Sequence, residues 1–207
     1  GLSQAERAYL SLRDRILSLE LTPGSPVQED PLTKELALGR TPFREAVKRL
    51  QAESLIAIYP RRGSFVTEVN ITDHALIADV RRNMEGHAAR RCAERATEAE
   101  RAELDSLSRL VEDIPPERAP IMDVDARVHR TIYQHTHNRY LESTLNQYYN
   151  LALRIWSLFF DRLSDVSGHV GEHVDLLQAI IIGDAQDAER LAIAHVNHFE
   201  QAIRDAI

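Results

Sequence analysis

The segment TPFREAVKRL, residues 41–50, has the pattern of a short amphipathic helix. Its apolar side chains recur at helical spacing and form one stripe: Phe43, Ala46, Val47 and Leu50. Basic side chains occupy the outward positions in and just before the segment: Arg40, Arg44, Lys48 and Arg49. Either Gly39 or Thr41 can serve as the N-cap. A buried stripe combined with a basic N-terminal end is typical of a helix that reads nucleic acid.

Two further helices are predicted before this segment. Residues 3–19 place apolar side chains at helical spacing until "TPG" at 22–24 stops the pattern. The next helix is short, with Asp30 as its predicted N-cap and Pro31 at its first position. Two short helices joined by a tight turn, the second basic at its N-terminal end, predict a helix-turn-helix.

The spacing of the hydrophobic residues changes after the predicted helix at 41–50. Residues 55–58 and 64–69 have strand character on either side of the turn PRRG at 60–63. This predicted hairpin carries Arg61, Arg62 and Gly63 at its tip. A basic-tipped hairpin behind a helix-turn-helix can contact the DNA backbone or the minor groove. We therefore predict a winged helix-turn-helix domain over residues 1–70.

The charge of the chain is unevenly distributed. The formal net charge is -7, but residues 1–70 hold 10 basic and 9 acidic side chains, whereas residues 71–207 hold 15 and 23. Within the first part, residues 40–62 hold 6 basic and 2 acidic side chains. Such a local basic stretch suits a nucleic-acid contact, and an ordinary charged helix face would also explain it.

Residues 71–207 show helical periodicity and no strand pattern. The predicted helices cover 73–96, 98–112, 121–137, 139–163, 170–182 and 185–206. Caps and helix breaks are expected at Thr72, at Thr97 with Glu100, at Pro115 and Pro116, at Gly168, and at Gly183 with Asp184. The predicted fold class is mainly α: an N-terminal winged helix-turn-helix followed by an all-α bundle of about six helices at residues 71–207.

Several protein classes are disfavoured by the sequence. The longest apolar runs, such as residues 176–182, fall far short of the roughly 18 residues expected of a membrane span. The N-terminus lacks the pattern of a secretory signal, and the single cysteine, Cys92, cannot form an intrachain disulfide. We expect a cytoplasmic protein with no membrane partner.

The segment DVDARVH, residues 123–129, places Asp125 four positions before His129. On a helix these two side chains share one face, which suits half of a metal site and equally a polar pair on a solvated surface. His173 and His195 lie in apolar patterns on two further predicted helices. Each of these histidines alone suits a hydrogen-bonded core residue as well as a metal ligand.

Three motifs in the first seventy residues resemble the DNA-binding domain of GntR-family bacterial regulators: LTPG at 21–24, TPFREAVKRL at 41–50 and PRRGSFV at 60–66. With the outward basic positions, the resemblance implies a DNA-contacting set of Arg40, Thr41, Arg44, Lys48, Arg49, Arg61, Arg62 and Gly63. Two positions depart from the family pattern. Gly39 stands where relatives usually have Ser or Thr, and Asp30 stands where they often have a basic residue.

The remainder resembles the FCD domain of the FadR-type branch of that family. The resemblance rests on VRRNMEGHAARRCAERAT at 80–97, DARVH at 125–129, THNRYL at 136–141 and the last two predicted helices. It implies a divalent metal held by Asp125, His129, His173 and His195, and this nitrogen-rich set suits Zn²⁺ or Ni²⁺ and tolerates Mn²⁺. His169 and His198 are interpreted as surface or neighbouring residues rather than ligands.

The same resemblance implies a small carboxylate as effector. Arg81 matches an inward arginine of relatives that could pair with a carboxylate, and a salt bridge to Glu85 would explain it equally well. Asn138 also matches a family position, although a helix cap accounts for it too.

The sequence as a whole predicts a homodimeric, metabolite-responsive transcription regulator, a repressor that binds a near-palindromic operator. An alternative is a DNA-binding dimer whose metal site is structural or degenerate and which has no effector. A remote alternative is a zinc hydrolase, but no candidate general base stands out near the four ligands. We therefore do not expect an enzyme.

Overall fold

The computed structural model describes residues 1–115, 117–163 and 165–207. Across these ranges the chain forms nine α-helices and one two-stranded sheet. They group into two compact units, one made of Gly1–Ile71 with Leu153–Leu158 and the other of Thr72–Ala152 with Phe159–Ile207. The mainly α fold class is confirmed. The predicted boundary at residue 70 places only the N-terminal residues in the first unit, whereas in the structure residues 153–158 also belong to it.

The first unit contains α1 (Gln4–Leu17), α2 (Glu29–Glu35) and α3 (Arg40–Ala52). The apolar stripe predicted for α3 is buried as expected, and its N-cap is Gly39. The prediction that Asp30 caps α2 is wrong, because the helix begins at Glu29 after Gln28. Pro31 is tolerated inside this first turn, since the N–H groups there have no partner within the helix.

The wing is an antiparallel hairpin of β1 (Ile56–Tyr59) and β2 (Gly63–Val66), with Ile56 paired to Val66 and Tyr59 to Gly63. β1 begins and ends one residue later than predicted. β2 begins one residue earlier than predicted and ends three residues earlier. The turn requires positive φ angles at Arg61 (63°) and Gly63 (101°). Glycine reaches this conformation without a steric penalty, which fits the PRRG turn.

The second unit is built from α4 (Asp73–Arg95), α5 (Glu98–Glu112), α6 (Arg118–Gln134), α7 (Arg139–Phe159), α8 (Val166–Ile182) and α9 (Ala185–Ala206). A single 3₁₀ turn, Phe160–Arg162, follows α7. Among the contacts within this unit, α4 packs most extensively against α9, and α8 packs against α5 and α9. Residues 153–158 of α7 belong to the first unit.

Several predicted helix ends are confirmed. Thr97 and Glu100 form the capping box of α5, the Asp184 side chain accepts from the Asp187 N–H, and Gly183 ends α8 with a φ of 83°. α5 already ends at Glu112, before Pro115, and the neighbouring Pro116 lies outside the described residues.

Other predicted ends are wrong. α6 covers 118–134 rather than 121–137, and His137, at its predicted end, adopts a φ of 52° that a helix does not allow. By contrast, Thr72 does occupy the predicted N-cap position of α4, although its side chain makes no capping hydrogen bond there. α7 is helical to 159, not 163. Gly168 does not interrupt a helix but lies in the first turn of α8, where its N–H donates to the Asp165 side chain.

Candidate functional site

The N-terminal end of α3 is an exposed basic surface. Arg40, Thr41, Arg44 and Lys48 are all exposed there. Arg44 donates from Nε and Nη2 to the two Glu29 carboxylate oxygens at 2.8 and 3.0 Å. These hydrogen bonds lower the pKa of the Glu29 carboxyl, so the pair is charged at neutral pH. Glu29 of α2 therefore orients Arg44 at the N-terminal end of α3.

Asp30 adds a second acidic partner on this surface. Arg40 Nη2 lies 3.1 Å from Asp30 Oδ1, and Arg40 Nε lies 3.8 Å from a Glu29 oxygen. Both members of the Arg40–Asp30 pair are highly exposed, so solvent screens their attraction and the pair is weak. DNA phosphates or base edges can compete with such a pair.

Arg49 lies apart from these side chains. Its guanidinium carbon stands 3.5 Å from the centre of the Tyr9 ring, and Nη1 donates to Glu6 Oε2 at 2.8 Å. The Tyr9 hydroxyl donates in turn to Glu53 at 2.9 Å. The contacts of Arg49 thus tie α3 to α1.

The tip of the wing carries the other predicted DNA contacts. Arg61, Arg62 and Gly63 are all exposed, and apart from its chain neighbours no described residue has an atom within 4 Å of a Cβ added at Gly63. Gly63 is therefore needed for its backbone conformation and not because a neighbour crowds it.

Four predicted ligands come together inside the second unit. Asp125 and His129 lie on α6, His173 on α8 and His195 on α9, and all four are buried. One potential ligand atom from each lies within 4.8 Å of all the others. His129 Nε2 and His173 Nε2 are 3.3 Å apart, and they lie 3.8 and 3.7 Å from Asp125 Oδ1. Ligand atoms in a tetrahedral zinc site are roughly 3 to 3.5 Å apart. The two nitrogens already have this spacing, and the Asp125 oxygen lies only slightly beyond it, so a small inward movement would let all three bind one ion.

The Nδ1 nitrogen of each of the three histidines already lies within hydrogen-bond distance of an oxygen atom. His129 Nδ1 lies 2.9 Å from Glu85 Oε2, His173 Nδ1 lies 3.0 Å from the Val170 carbonyl oxygen, and His195 Nδ1 lies 2.9 Å from Glu172 Oε2. An acceptor at Nδ1 fixes the tautomer that leaves Nε2 as a lone-pair donor. Metal-ligating histidines usually have such partners.

Asp125 is the least satisfied member of the cluster. Its Oδ2 accepts a hydrogen bond of 2.6 Å from the Tyr149 hydroxyl, whereas its buried Oδ1 has no hydrogen-bond partner among the described residues. A buried carboxylate oxygen without a partner is costly, and a cation is one group that would satisfy it. The four residues therefore fit a divalent metal.

Burial also sets the protonation of the histidines. It lowers the pKa of His173 to about 3 and that of His195 well below its usual value. Both imidazoles are neutral at neutral pH, which is the form that binds a metal.

The two predicted effector residues differ in their surroundings. Arg81 is buried, donates from Nε to Glu85 Oε1 at 2.6 Å, and lies over the Tyr149 ring at 5.5 Å. It is thus connected to the cluster through Glu85 and Tyr149. Asn138 instead caps α7, with its side-chain oxygen accepting from the Tyr140 and Leu141 N–H groups.

Sequence reasoning missed residues that contact the cluster, among them Tyr149 and Glu172. Tyr149 lies in a largely apolar stretch of α7, and only its hydroxyl distinguishes it from a residue of the hydrophobic core. Glu172 directly precedes His173 and lies three residues after His169, a spacing that could have suggested a ligand or an orienting partner.

Two protein families match the chain. The family "Bacterial regulatory proteins, gntR family" matches residues 4–66, and the family "FCD domain" matches residues 76–198. The HTH-type transcriptional repressor RspR of Escherichia coli K12 is 25% identical over 202 residues, which cover 96% of this chain and 88% of that protein. The galactonate operon transcriptional repressor of the same organism is 29% identical, with 94% of each chain covered.

Solved structures show the same fold. E. coli McbR/YncC superposes with a TM-score of 0.83 at 19% identity and covers 99% of both chains. A GntR transcriptional regulator from Rhodococcus sp. RHA1 gives a TM-score of 0.72 at 20% identity over the full length of both chains.

A winged helix-turn-helix joined to a helical domain, with regulators as relatives, defines a DNA-binding transcription regulator. The chain belongs to the GntR family and carries its FCD domain. These relatives are transcription regulators, so the remote hydrolase alternative is set aside. None of the helices in the described ranges is long and apolar enough to cross a membrane.

Proposed function

We propose that the FCD domain of this regulator binds one divalent metal through Asp125, His129, His173 and His195, and that the metal helps to bind a small carboxylate effector. The observation that carries the proposal is the position of Asp125 Oδ1. In the part of the chain that the structure describes, this buried oxygen has no hydrogen-bond partner, and it lies less than 4 Å from two histidine nitrogens. Zn²⁺ and Ni²⁺ suit three imidazoles and one carboxylate best, and Mn²⁺ is the less favoured choice.

The carboxylate part of the proposal rests on Arg81. When bound, the metal would supply positive charge that attracts an anion. Arg81 has five N–H donors, and Glu85 accepts from Nε and Nη2. An effector carboxylate near Tyr149 would therefore meet a guanidinium that Glu85 has already oriented. One relative is named for a galactonate operon, and galactonate is a small carboxylate.

A specific observation also favours the alternative without an effector. Glu85 already pairs with Arg81 in the interior, so no bound anion is needed to balance this charge. Thermal-shift screening of the metal-loaded protein against small carboxylates distinguishes the two. A ligand that raises the melting temperature of wild type but not of Arg81→Lys supports the effector. No response across the series supports a structural metal.

We further propose that the protein acts as a homodimeric repressor on a near-palindromic operator. Arg40, Thr41, Arg44 and Lys48 would face the major groove, and Arg61 and Arg62 would face the backbone or minor groove. We leave Arg49 out of this surface because it contacts Tyr9 and Glu6. We leave Asn138 out of the effector site because it caps α7.

The metal site is tested by removing one ligand. His173→Ala should abolish stoichiometric metal in the purified protein and remove the rise in melting temperature that added Zn²⁺ causes in wild type. His87→Ala, which changes an exposed histidine of α4, should leave both readouts unchanged. Equal metal content in wild type and His173→Ala, measured by elemental analysis, would show that the tetrad is not the site.

A further inference from the structure

A second histidine cluster lies directly beside the buried tetrad. His169 and Glu172 occupy successive turns of α8, and His195 and His198 occupy successive turns of the adjacent α9. Glu172 joins the two helices, because its Oε2 lies 2.9 Å from His195 Nδ1 and its Oε1 lies 2.6 Å from His198 Nδ1. His169 Nδ1 lies 3.7 Å from the same Oε2.

The chemistry of this cluster suits a cation. One potential ligand atom each from His169, Glu172 and His195 lies within 4.8 Å of the others. Two imidazoles and a carboxylate are ligands that Zn²⁺ accepts. His169 and His195 stack with ring centres 4.1 Å apart, so both rings are already held side by side.

The exposure of the two clusters differs. The tetrad residues are at most 4% exposed, so a metal arriving from solvent has no direct contact with them. His198 is 63% exposed and Glu172 is 33% exposed. His195 belongs to both clusters, with Nδ1 toward Glu172 and the opposite ring edge available to the tetrad.

We propose that Glu172 and the two histidines that contact it from outside the tetrad, His169 and His198, form an outer divalent-metal subsite that captures the ion from solvent. His195, whose ligand atom lies within 4.8 Å of those of His169 and Glu172, then passes the ion to the buried tetrad to which it also belongs. This proposal rests on the proposed tetrad. Binding at the outer subsite is weaker, because an ion there must displace the hydrogen bonds of Glu172 and remains partly solvated. The Glu172 carboxylate supplies the negative charge that attracts the ion.

The equilibrium test is a Zn²⁺ titration of the full-length protein in competition with a chromophoric chelator. Wild type should bind one tight and one weaker equivalent, and His173→Ala should keep only the weaker one. His198→Ala should keep only the tight equivalent, and His198→Cys, which retains a metal ligand, should restore the weaker one. A wild type that saturates at one tight equivalent overturns the outer subsite while leaving the tetrad intact.

The kinetic test measures Zn²⁺ loading of the tetrad by rapid mixing. His198→Ala should load about tenfold more slowly than wild type, because the loss of a residue that supports a metal site typically costs tenfold or more in metal affinity and the outer subsite then holds fewer ions. The final tight stoichiometry should not change, and His87→Ala should load at the wild-type rate. Equal loading rates in wild type and His198→Ala overturn the proposal. A wild-type protein that binds no tight equivalent of Zn²⁺ would instead contradict the tetrad.

Discussion

Two arginines of α3 show how neighbouring residues can have separate roles. Arg44 is exposed and pairs with Glu29, while Arg49 lies against Tyr9 and donates to Glu6. Periodicity predicted that both point outward, and this is correct. It could not predict that Arg49 contacts α1, because the hydrogen bond from Arg49 to Glu6 joins residues 43 positions apart.

For Arg44→Ala, we expect specific operator binding to weaken by about 1 to 3 kcal/mol at fixed salt, because the variant loses a side chain at the reading end of the helix. The unfolding free energy should hardly change, since the pair with Glu29 is exposed. Binding is measured by fluorescence anisotropy with labelled operator. Arg109→Ala, an exposed arginine of α5, is the control, and unchanged operator affinity in Arg44→Ala would remove it from the interface.

For Arg49→Ala, we expect the opposite pattern. The variant loses a cation–π contact worth about 0.5 to 1 kcal/mol at a partly exposed site, so denaturant unfolding should show a loss of that order. Specific operator affinity of the folded protein should change less than in Arg44→Ala. A large loss of affinity without a loss of stability would return Arg49 to the DNA-contacting set.

At the scale of the elements, local signals were predicted better than contacts across the structure. The capping box of α5 and Gly183 at the end of α8 follow from residues a few positions apart, and both are confirmed. The start of α8 was missed because Gly168 lowers helix propensity, while the Asp165 cap compensates for it. The hydrogen bond from Tyr149 to Asp125 joins two helices, so no local pattern encodes it.

For Thr97→Ala, we expect the unfolding free energy to fall by about 0.5 to 2 kcal/mol, because the first turn of α5 loses its side-chain cap. The measurement is a denaturant titration followed by circular dichroism. Ser106→Ala in the same helix is the matched control, since its hydroxyl only donates to the Ala102 carbonyl and alanine is the better helix former. Equal losses in the two variants would contradict a role for the capping box.

For the molecule as a whole, two features define what a response to metal and effector must involve. The first unit carries the exposed basic side chains, and the second carries the buried cluster, which links α6, α8 and α9. An effector could change DNA binding only by binding one conformation of the protein more tightly than another. The sequence predicted the four-residue cluster through the family resemblance, whereas spacing alone left Asp125 and His129 open to a second interpretation.

The dimer is tested through the spacing of the operator. A single winged helix makes too few contacts for tight specific binding, so two copies are expected to bind half-sites on the same face of DNA. Inserting about 5 base pairs between the half-sites turns one of them to the opposite face and should sharply reduce affinity, whereas inserting about 10 should restore part of it. Light scattering at micromolar concentration should give the mass of two chains without DNA. If light scattering gives the mass of one chain and the insertion does not change operator affinity, the dimer is contradicted and each winged helix binds alone.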